Sequence, residues 1–241
     1  MARTRIGVVL PAPGLDSVAL REREEVYGKF ASKGTEIVVA KIEGGPNSTD
    51  SRYEDILAGP HIIACAERLA AKDLSALIVN CFGDPSVGAL RELFNFPVIG
   101  PGEASIFTAS QLGDMYSILT ILPNGIPMIR ERIHQIGLLH RLASIRAINI
   151  EPADLARQSE RMESALLEQG RLAIKNDGAS VLIVGCNTPE MAMTAGKLSS
   201  ILDVPVVNPI AAAVNNAESL ARQSLRNSRR TYVTPISRSH A

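Results

Sequence analysis

Short apolar runs rich in Val and Ile recur along the chain, separated by longer stretches whose apolar residues return at helical spacing. The runs Arg5–Leu10, Glu36–Ala40, Ala76–Asn80, Val98–Gly100, Tyr116–Leu122, Ile145–Ile150, Val181–Gly185 and Val206–Asn208 predict strands. Their apolar residues are continuous rather than alternating, as in parallel strands covered on both faces. Between them the spacing predicts helices. From Pro152 to Lys175, Leu155, Met162, Leu166 and Ala173 share one face, Pro152 suits a first turn, and Asn176-Asp177-Gly178 stops the helix. Tyr53–Asp73 predicts another helix, with Pro60 dividing or kinking it. Alternating strands and helices place the chain in the α/β class with parallel sheets.

The pattern also repeats. Ser75-Ala-Leu-Ile-Val-Asn-Cys81 and Ser180-Val-Leu-Ile-Val-Gly-Cys186 agree at five of seven positions, offset by 105. Pro97-Val-Ile-Gly-Pro101 matches Pro205-Val-Val-Asn-Pro209 at an offset of 108, and Ile6–Pro11 resembles Ser117–Pro123. Self-similarity of this kind predicts two similar lobes, each a four-stranded parallel sheet flanked by helices. We divide them as residues 1–104 plus 213–241 and residues 105–212. In each lobe the third strand ends on a cysteine, and ligands of open parallel sheets bind beyond the carboxyl ends of strands. If the lobes are related by a pseudo-twofold axis across a cleft, Cys81 and Cys186 confront one another.

Two opposed thiols suit a particular chemistry. A thiol at the start of a helix is expected to have a lowered pKa. Cys81 is followed by Phe82-Gly83-Asp84-Pro85-Ser86 and Cys186 by Asn187-Thr188-Pro189-Glu190, both read as tight turns with a proline suited to a first helical turn. Gly83 lets backbone approach a ligand, and Asn187 and Thr188 supply neutral hydrogen-bonding groups. One acid–base group on each face of a carbon is what a racemase requires. A carbon alpha to a carbonyl needs no cofactor, because its carbanion is an enolate that amide donors can stabilise. Asp84 is read as shaping its turn and Glu103 as charging a helix start.

Composition narrows the alternatives. The 241 residues carry 25 Lys plus Arg against 25 Asp plus Glu, too even for a broad basic nucleic-acid surface. Apolar residues at 46% and charged residues at 21% exclude a disordered chain. Trp is absent, which disfavours stacking platforms. No run approaches the roughly 20 apolar residues of a membrane span, and the first apolar stretch is too short for a signal peptide. A cytoplasmic protein with three reduced thiols is expected, Cys65 being a core thiol. On this reading the sequon Asn47-Ser48-Thr49 carries no meaning. His61, His134, His140 and His240 form no ligand cluster and Cys-x-x-Cys is absent, so no metal is expected. Gly100-Pro101-Gly102 reads as a turn rather than a dinucleotide fingerprint, and Gly-x-Ser-x-Gly does not occur. Arg226–Ala241 is a basic stretch read as a mobile or packing tail.

At these residues the chain resembles the aspartate/glutamate/hydantoin racemase superfamily, and most closely its hydantoin and allantoin racemase branch. Cys81-Phe-Gly-Asp-Pro85 with Ala89-Leu-Arg-Glu92, Pro97–Gly100 with Glu103-Ala104, Gly137-Leu138 to Arg146, and Asp177-Gly-Ala179 to Gly185-Cys186 carry the likeness. The resemblance implies cofactor-independent racemisation, with Cys81 and Cys186 as the acid–base pair. It implies a 5-substituted hydantoin or allantoin-like ureide as substrate. Amino-acid racemisation and maleate-type cis–trans isomerisation are the alternatives within the fold. Substrate contacts are implied at Thr120 and Ile121 and at the mirrored Pro11 and Ala12, and Phe82 is read as packing against the ring or filling the core. The chain departs from the branch at Leu10-Pro-Ala-Pro-Gly14, where an Asn-Pro-Asn-Thr-like loop is usual. It departs again at Asn187-Thr188-Pro189, where a small apolar run is usual. The expected partners are a small-molecule substrate and further copies of the chain in a closed homo-oligomer, with no nucleic acid and no membrane.

Overall fold

The computed structural model describes residues 4–238; His240 and the end of the basic tail lie outside the described residues. The chain divides into two compact units. One comprises the residues up to Gly100 together with those from Ala213 onward, and the other Pro101–Ala212.

The first unit holds a sheet of β1 (Thr4–Leu10), β2 (Thr35–Lys41), β3 (Ala76–Val79) and β4 (Val98–Ile99), in the order β2-β1-β3-β4. Every pairing is parallel, with Ile6 opposite Ile37 on one side and opposite Ala76 on the other. The second unit repeats the plan with β5 (Tyr116–Thr120), β6 (Leu142–Ala147), β7 (Val181–Val184) and β8 (Val206–Val207), in the order β6-β5-β7-β8. The strands β3, β5 and β7 are buried at every residue, which explains their unbroken apolar runs. The edge strands β2 and β6 are mostly half-buried.

Helices α1 (Ser17–Gly28), α2 (Arg52–Ala70) and α3 (Val87–Leu93) connect the first sheet. Helices α5 (Ile126–Gln135), α6 (Ser159–Asp177), α7 (Pro189–Ala192) and α8 (Ala195–Leu202) connect the second; α4 (Pro101–Leu112) precedes β5 and packs on β7 and β8. The last long helix, α9 (Pro209–Arg222), follows β8. Each unit has its own core. Val9, Ile62, Cys65, Leu77 and Val79 pack together in the first, and Leu119, Leu155, Met162, Leu166 and Leu182 in the second. Among the described residues no helix is long and apolar enough to cross a membrane.

Several expectations are corrected. The strand expected at Ile145–Ile150 lies at Leu142–Ala147. Ile148 and Asn149 still donate to the carbonyls of Thr120 and Ile121, but Asn149 turns into the left-handed region at φ 56 and ends the ladder. The bidentate pair from Arg146 to Asp177, at 2.6 and 2.9 Å, ties β6 to the end of α6. The single helix expected from Pro152 is two pieces: a 3-10 turn at Pro152–Asp154, then α6 from Ser159. The four residues that suggested it are all buried, and Gly178, at φ 77, caps its end. Pro60 sits inside α2 without ending it. Gly100-Pro101-Gly102 is not a free turn, because α4 starts at Pro101. The basic tail follows the packing reading at Asn227 and Arg229, while Val233 and Ile236 beyond them are exposed. Asn227 donates to the carbonyls of Phe94 and Phe96, and Arg229 to those of Arg91 and Glu92.

Glu218 of α9 is 3% exposed and accepts from Ser32 N (2.7 Å), Ser32 Oγ (2.6 Å) and Thr35 Oγ1 (2.6 Å). Burial pushes its pKa up, but these bonds and the nearby Arg222 outweigh it, and the carboxyl lies below its ordinary range. A depressed pKa stabilises the fold above the unfolded value of about 4.3, and that stability is lost as pH falls through the folded value. Glu218→Gln is expected to cost about 1–3 kcal/mol at neutral pH. Urea unfolding of both proteins should show the gap closing in acid, and a gap that persists unchanged into acid contradicts the assignment.

Candidate active site

In the order β2-β1-β3-β4, the chain leaves β1 towards one edge and β3 towards the other. The carboxyl ends of β1 and β3 therefore form the point where the winding reverses, the place where open α/β sheets bind ligands. Pro11 and Ala12 follow β1, and Cys81 follows β3. In the second unit, Ile121 follows β5 and Cys186 follows β7. The ladder runs to the brink of each thiol. Asn80 N donates to Val9 O and Gly185 N to Leu119 O, both at 2.8 Å. Gly185 is required there, since a Cβ would lie 2.6 Å from Ile118 Cγ2 and 3.0 Å from Leu119 O.

Cys81 is half-buried. Its sulfur lies 3.1 Å from Thr49 Oγ1 and accepts from Gly83 N at 3.4 Å. Buried Tyr27 donates to Asn80 Oδ1 at 2.6 Å and holds the residue before the thiol. The turn beyond is shaped by Asp84 and Ser86, both left-handed at φ 54 and φ 59. The Asp84 side chain is 1% exposed and presses on Gly100, where a Cβ would fall 2.3 Å from its Cγ. Asp84 thus has the turn-shaping role expected of it, and Glu103 lies in the first turn of α4.

The lowered thiol pKa expected at Cys81 is corrected: it is pushed up to about 12. Burial is the main cause, and the carboxylates of Asp50 and Asp84 add to it against the bonds from Thr49 and Gly83. No helix begins at the sulfur to oppose this, because α3 starts only at Val87 and Pro85 lies in the turn before it. Cys65, buried in α2 and donating to Lys41 O at 3.2 Å, is pushed up to about 11, mainly by burial.

Cys186 is 8% exposed, and its thiol donates to Thr188 Oγ1 at 3.5 Å. Pro189 opens α7, as expected of its turn. Asn187 is 4% exposed, and among the described residues neither Oδ1 nor Nδ2 has a hydrogen-bond partner. Phe82 is 6% exposed. Thr120 and Ile121 are buried, and their carbonyls already accept from Ile148 and Asn149. Pro11 is buried and Ala12 half-buried, in a loop that Lys41 Nζ ties down through the carbonyls of Pro13 (2.7 Å) and Leu15 (2.5 Å). In the first unit the structure brings Cys81 and Gly83 together; in the second it brings Cys186 and Thr188 together. Among the described residues no cluster of three or more His, Cys, Asp or Glu could hold a metal.

Thr49 is the residue that sequence reasoning missed. It belongs to the sequon dismissed as meaningless, in the loop leaving β2 at the same sheet edge as Cys81. That loop is held at both ends. The His61 ring packs against Gly44 and Gly45, and the Ser51 side chain caps α2 by accepting from Glu54 N. The usable signal was topological: parallel strands deliver all their outgoing loops to one edge.

The family profile described as Asp/Glu/Hydantoin racemase matches residues 20–217. The chain belongs to that family. It is 30% identical to a hydantoin racemase of a Pseudomonas species, over 91% of this chain and 88% of the relative. A crystal structure of an allantoin racemase from Pseudomonas fluorescens superposes with a TM-score of 0.88 at 35% identity, covering 97% of both chains. An allantoin racemase from Klebsiella pneumoniae gives 0.89 at 28% identity, covering 97% of this chain and 94% of that one. The protein is an isomerase of the racemase type.

With a pKa near 12, Cys81 stays a neutral thiol through neutral pH. Its alkylation by iodoacetamide, followed by peptide mass spectrometry, should rise about tenfold per pH unit with no plateau below about pH 10. Thr49→Val removes a bond that favours the thiolate and should slow it further. A plateau near pH 8, as for an activated thiolate, is the contrary result.

Proposed function

We propose that the protein inverts the stereocentre of a 5-substituted hydantoin or related ureide without a cofactor, with Cys81 and Cys186 as its two acid–base groups. The observation that carries this reading is the repeat. Two units of the same strand order each end their third strand at a cysteine beside the point where the sheet's winding reverses. A purely structural thiol has no reason to recur there with a threonine hydroxyl on each sulfur. The substrate class follows from the relatives that carry the names hydantoin racemase and allantoin racemase.

The proposed reaction needs one base and one acid on opposite faces of C5. The thiolate removes the C5 proton, and the electron pair moves into the C5–C4 bond and onto the C4 oxygen. The neutral thiol then returns a proton from the other face. With its proton held to about pH 12, Cys81 starts as the donor, and the proposal gives the base role to Cys186 once its thiol has released the proton it directs at Thr188. The antipode runs the same path with the roles exchanged. Each positioned acid or base contributes roughly 10²–10⁴ in rate.

In D2O, NMR should show deuterium entering C5 of a 5-substituted hydantoin, and chiral chromatography should show either antipode becoming a racemate. Cys81→Ser and Cys186→Ser should each lower racemisation at least about 100-fold. Retained racemisation in either variant refutes the pair. Racemisation of aspartate or glutamate, with hydantoins untouched, refutes the substrate class and leaves the chemistry.

A further inference from the structure

Asn187 follows Cys186 directly, is 4% exposed, and leaves both its amide oxygen and its amide nitrogen without a hydrogen-bond partner among the described residues. An interior amide with two unmet groups is costly, and native structures satisfy nearly all such groups. The cost is consistent with an amide held ready for a ligand. Its neighbours along the chain do not absorb it. Thr188 is engaged by the Cys186 thiol, and Gly185 N is committed to Leu119 O.

We propose that Asn187 is the specificity-determining residue of this site, reading the C4=O/N3–H edge of a cyclic ureide; the inference rests on the racemase reading given above. A primary amide offers one donor and one acceptor side by side. A cis-amide edge in a five-membered ring offers the complementary pair. Nδ2–H donates to the C4 oxygen, and Oδ1 accepts from N3–H. A free amino acid also presents an acceptor and a donor, its carboxylate and ammonium, but not side by side in the plane of a cis-amide edge, so the discrimination is one of geometry. The choice of edge follows from the reaction. C4 adjoins the carbon that loses its proton, so its oxygen carries the charge when the C5–H bond breaks and the pair moves onto O4. The bond from Nδ2 then strengthens in the transition state, and Asn187 contributes to turnover as well as to recognition.

The experiment measures kcat and KM of the full chain with three substrates: a 5-substituted hydantoin, its N3-methyl derivative and its N1-methyl derivative. The wild-type protein should prefer the parent over the N3-methyl compound by at least about 100-fold, as a site built to bind an N–H does. In Asn187→Leu, of similar shape, kcat for the parent should fall about 100-fold and the preference for N3–H should vanish. The N1-methyl compound, whose C4=O/N3–H edge is intact, should lose activity in this variant by the same factor as the parent. Asn187→Asp keeps an acceptor but loses the donor, so it should retain the N3–H preference while kcat falls. Both variants separate the proposal from a scaffolding role. Asn187→Leu should unfold at the same or a higher temperature, because an unmatched interior amide has been removed, and Asn187→Asp carries the test if the leucine variant does not fold. Wild-type turnover of hydantoins with the preference for N3–H over N3-methyl absent, or unchanged in Asn187→Leu, overturns the assignment alone. No wild-type turnover of any 5-substituted hydantoin overturns the functional reading and this inference with it.

Discussion

Two backbone hydrogen bonds, from Asn80 to Val9 and from Gly185 to Leu119, carry the central parallel pairings of each sheet to their carboxyl ends. Each stops one residue short of a cysteine. The position of both thiols depends on this registry. A parallel ladder buried on both faces cannot slip without exposing its apolar residues and orphaning its amides. The strand cores therefore fix where each cysteine sits in its own unit, and the residues that surround each sulfur lie on the loops leaving them.

The two units share a backbone plan but present different surroundings to their sulfurs. Cys81 receives Thr49 from the loop after β2, with Asp50 and Asp84 placing negative charge nearby. Cys186 meets the hydroxyl of its own turn through Thr188 and has the unmatched amide of Asn187 beside it. A repeat that kept the strands and changed the turns yields two strand ends with different hydrogen-bonding partners at their sulfurs.

Much of this was legible in the residues. Continuous Val and Ile runs mark strands covered on both faces, and seven of the eight lie where the pattern put them to within a few end residues. The exception, β6, is an edge strand half-buried throughout, so its inward and outward residues carry weaker contrast, and the eye is drawn to the more apolar Ile148 and Ile150 just beyond it. The helix beginning before α6 misled in the same way. Leu155 lies buried in the turn that follows the 3-10 helix, and its burial kept the periodic pattern across a break in the helix.

Cys81 and Cys186 could be paired from the sequence because recurrence is written along the chain: the same run ends on the same residue in each half. Burial of Cys65 and the turn-shaping role of Asp84 were also readable, since both follow from local composition and spacing. Thr49 could not be found that way, lying 32 residues from the sulfur it touches. Nor could the raised proton affinity of Cys81, which sums burial and the fields of Asp50 and Asp84 over contacts that exist only once the chain has folded. Periodicity and repetition are properties of order along the chain, so the sequence determined the architecture and the positions of the two thiols. Proton affinity and hydrogen-bond satisfaction are properties of what surrounds an atom in space, and only the tertiary structure decided those.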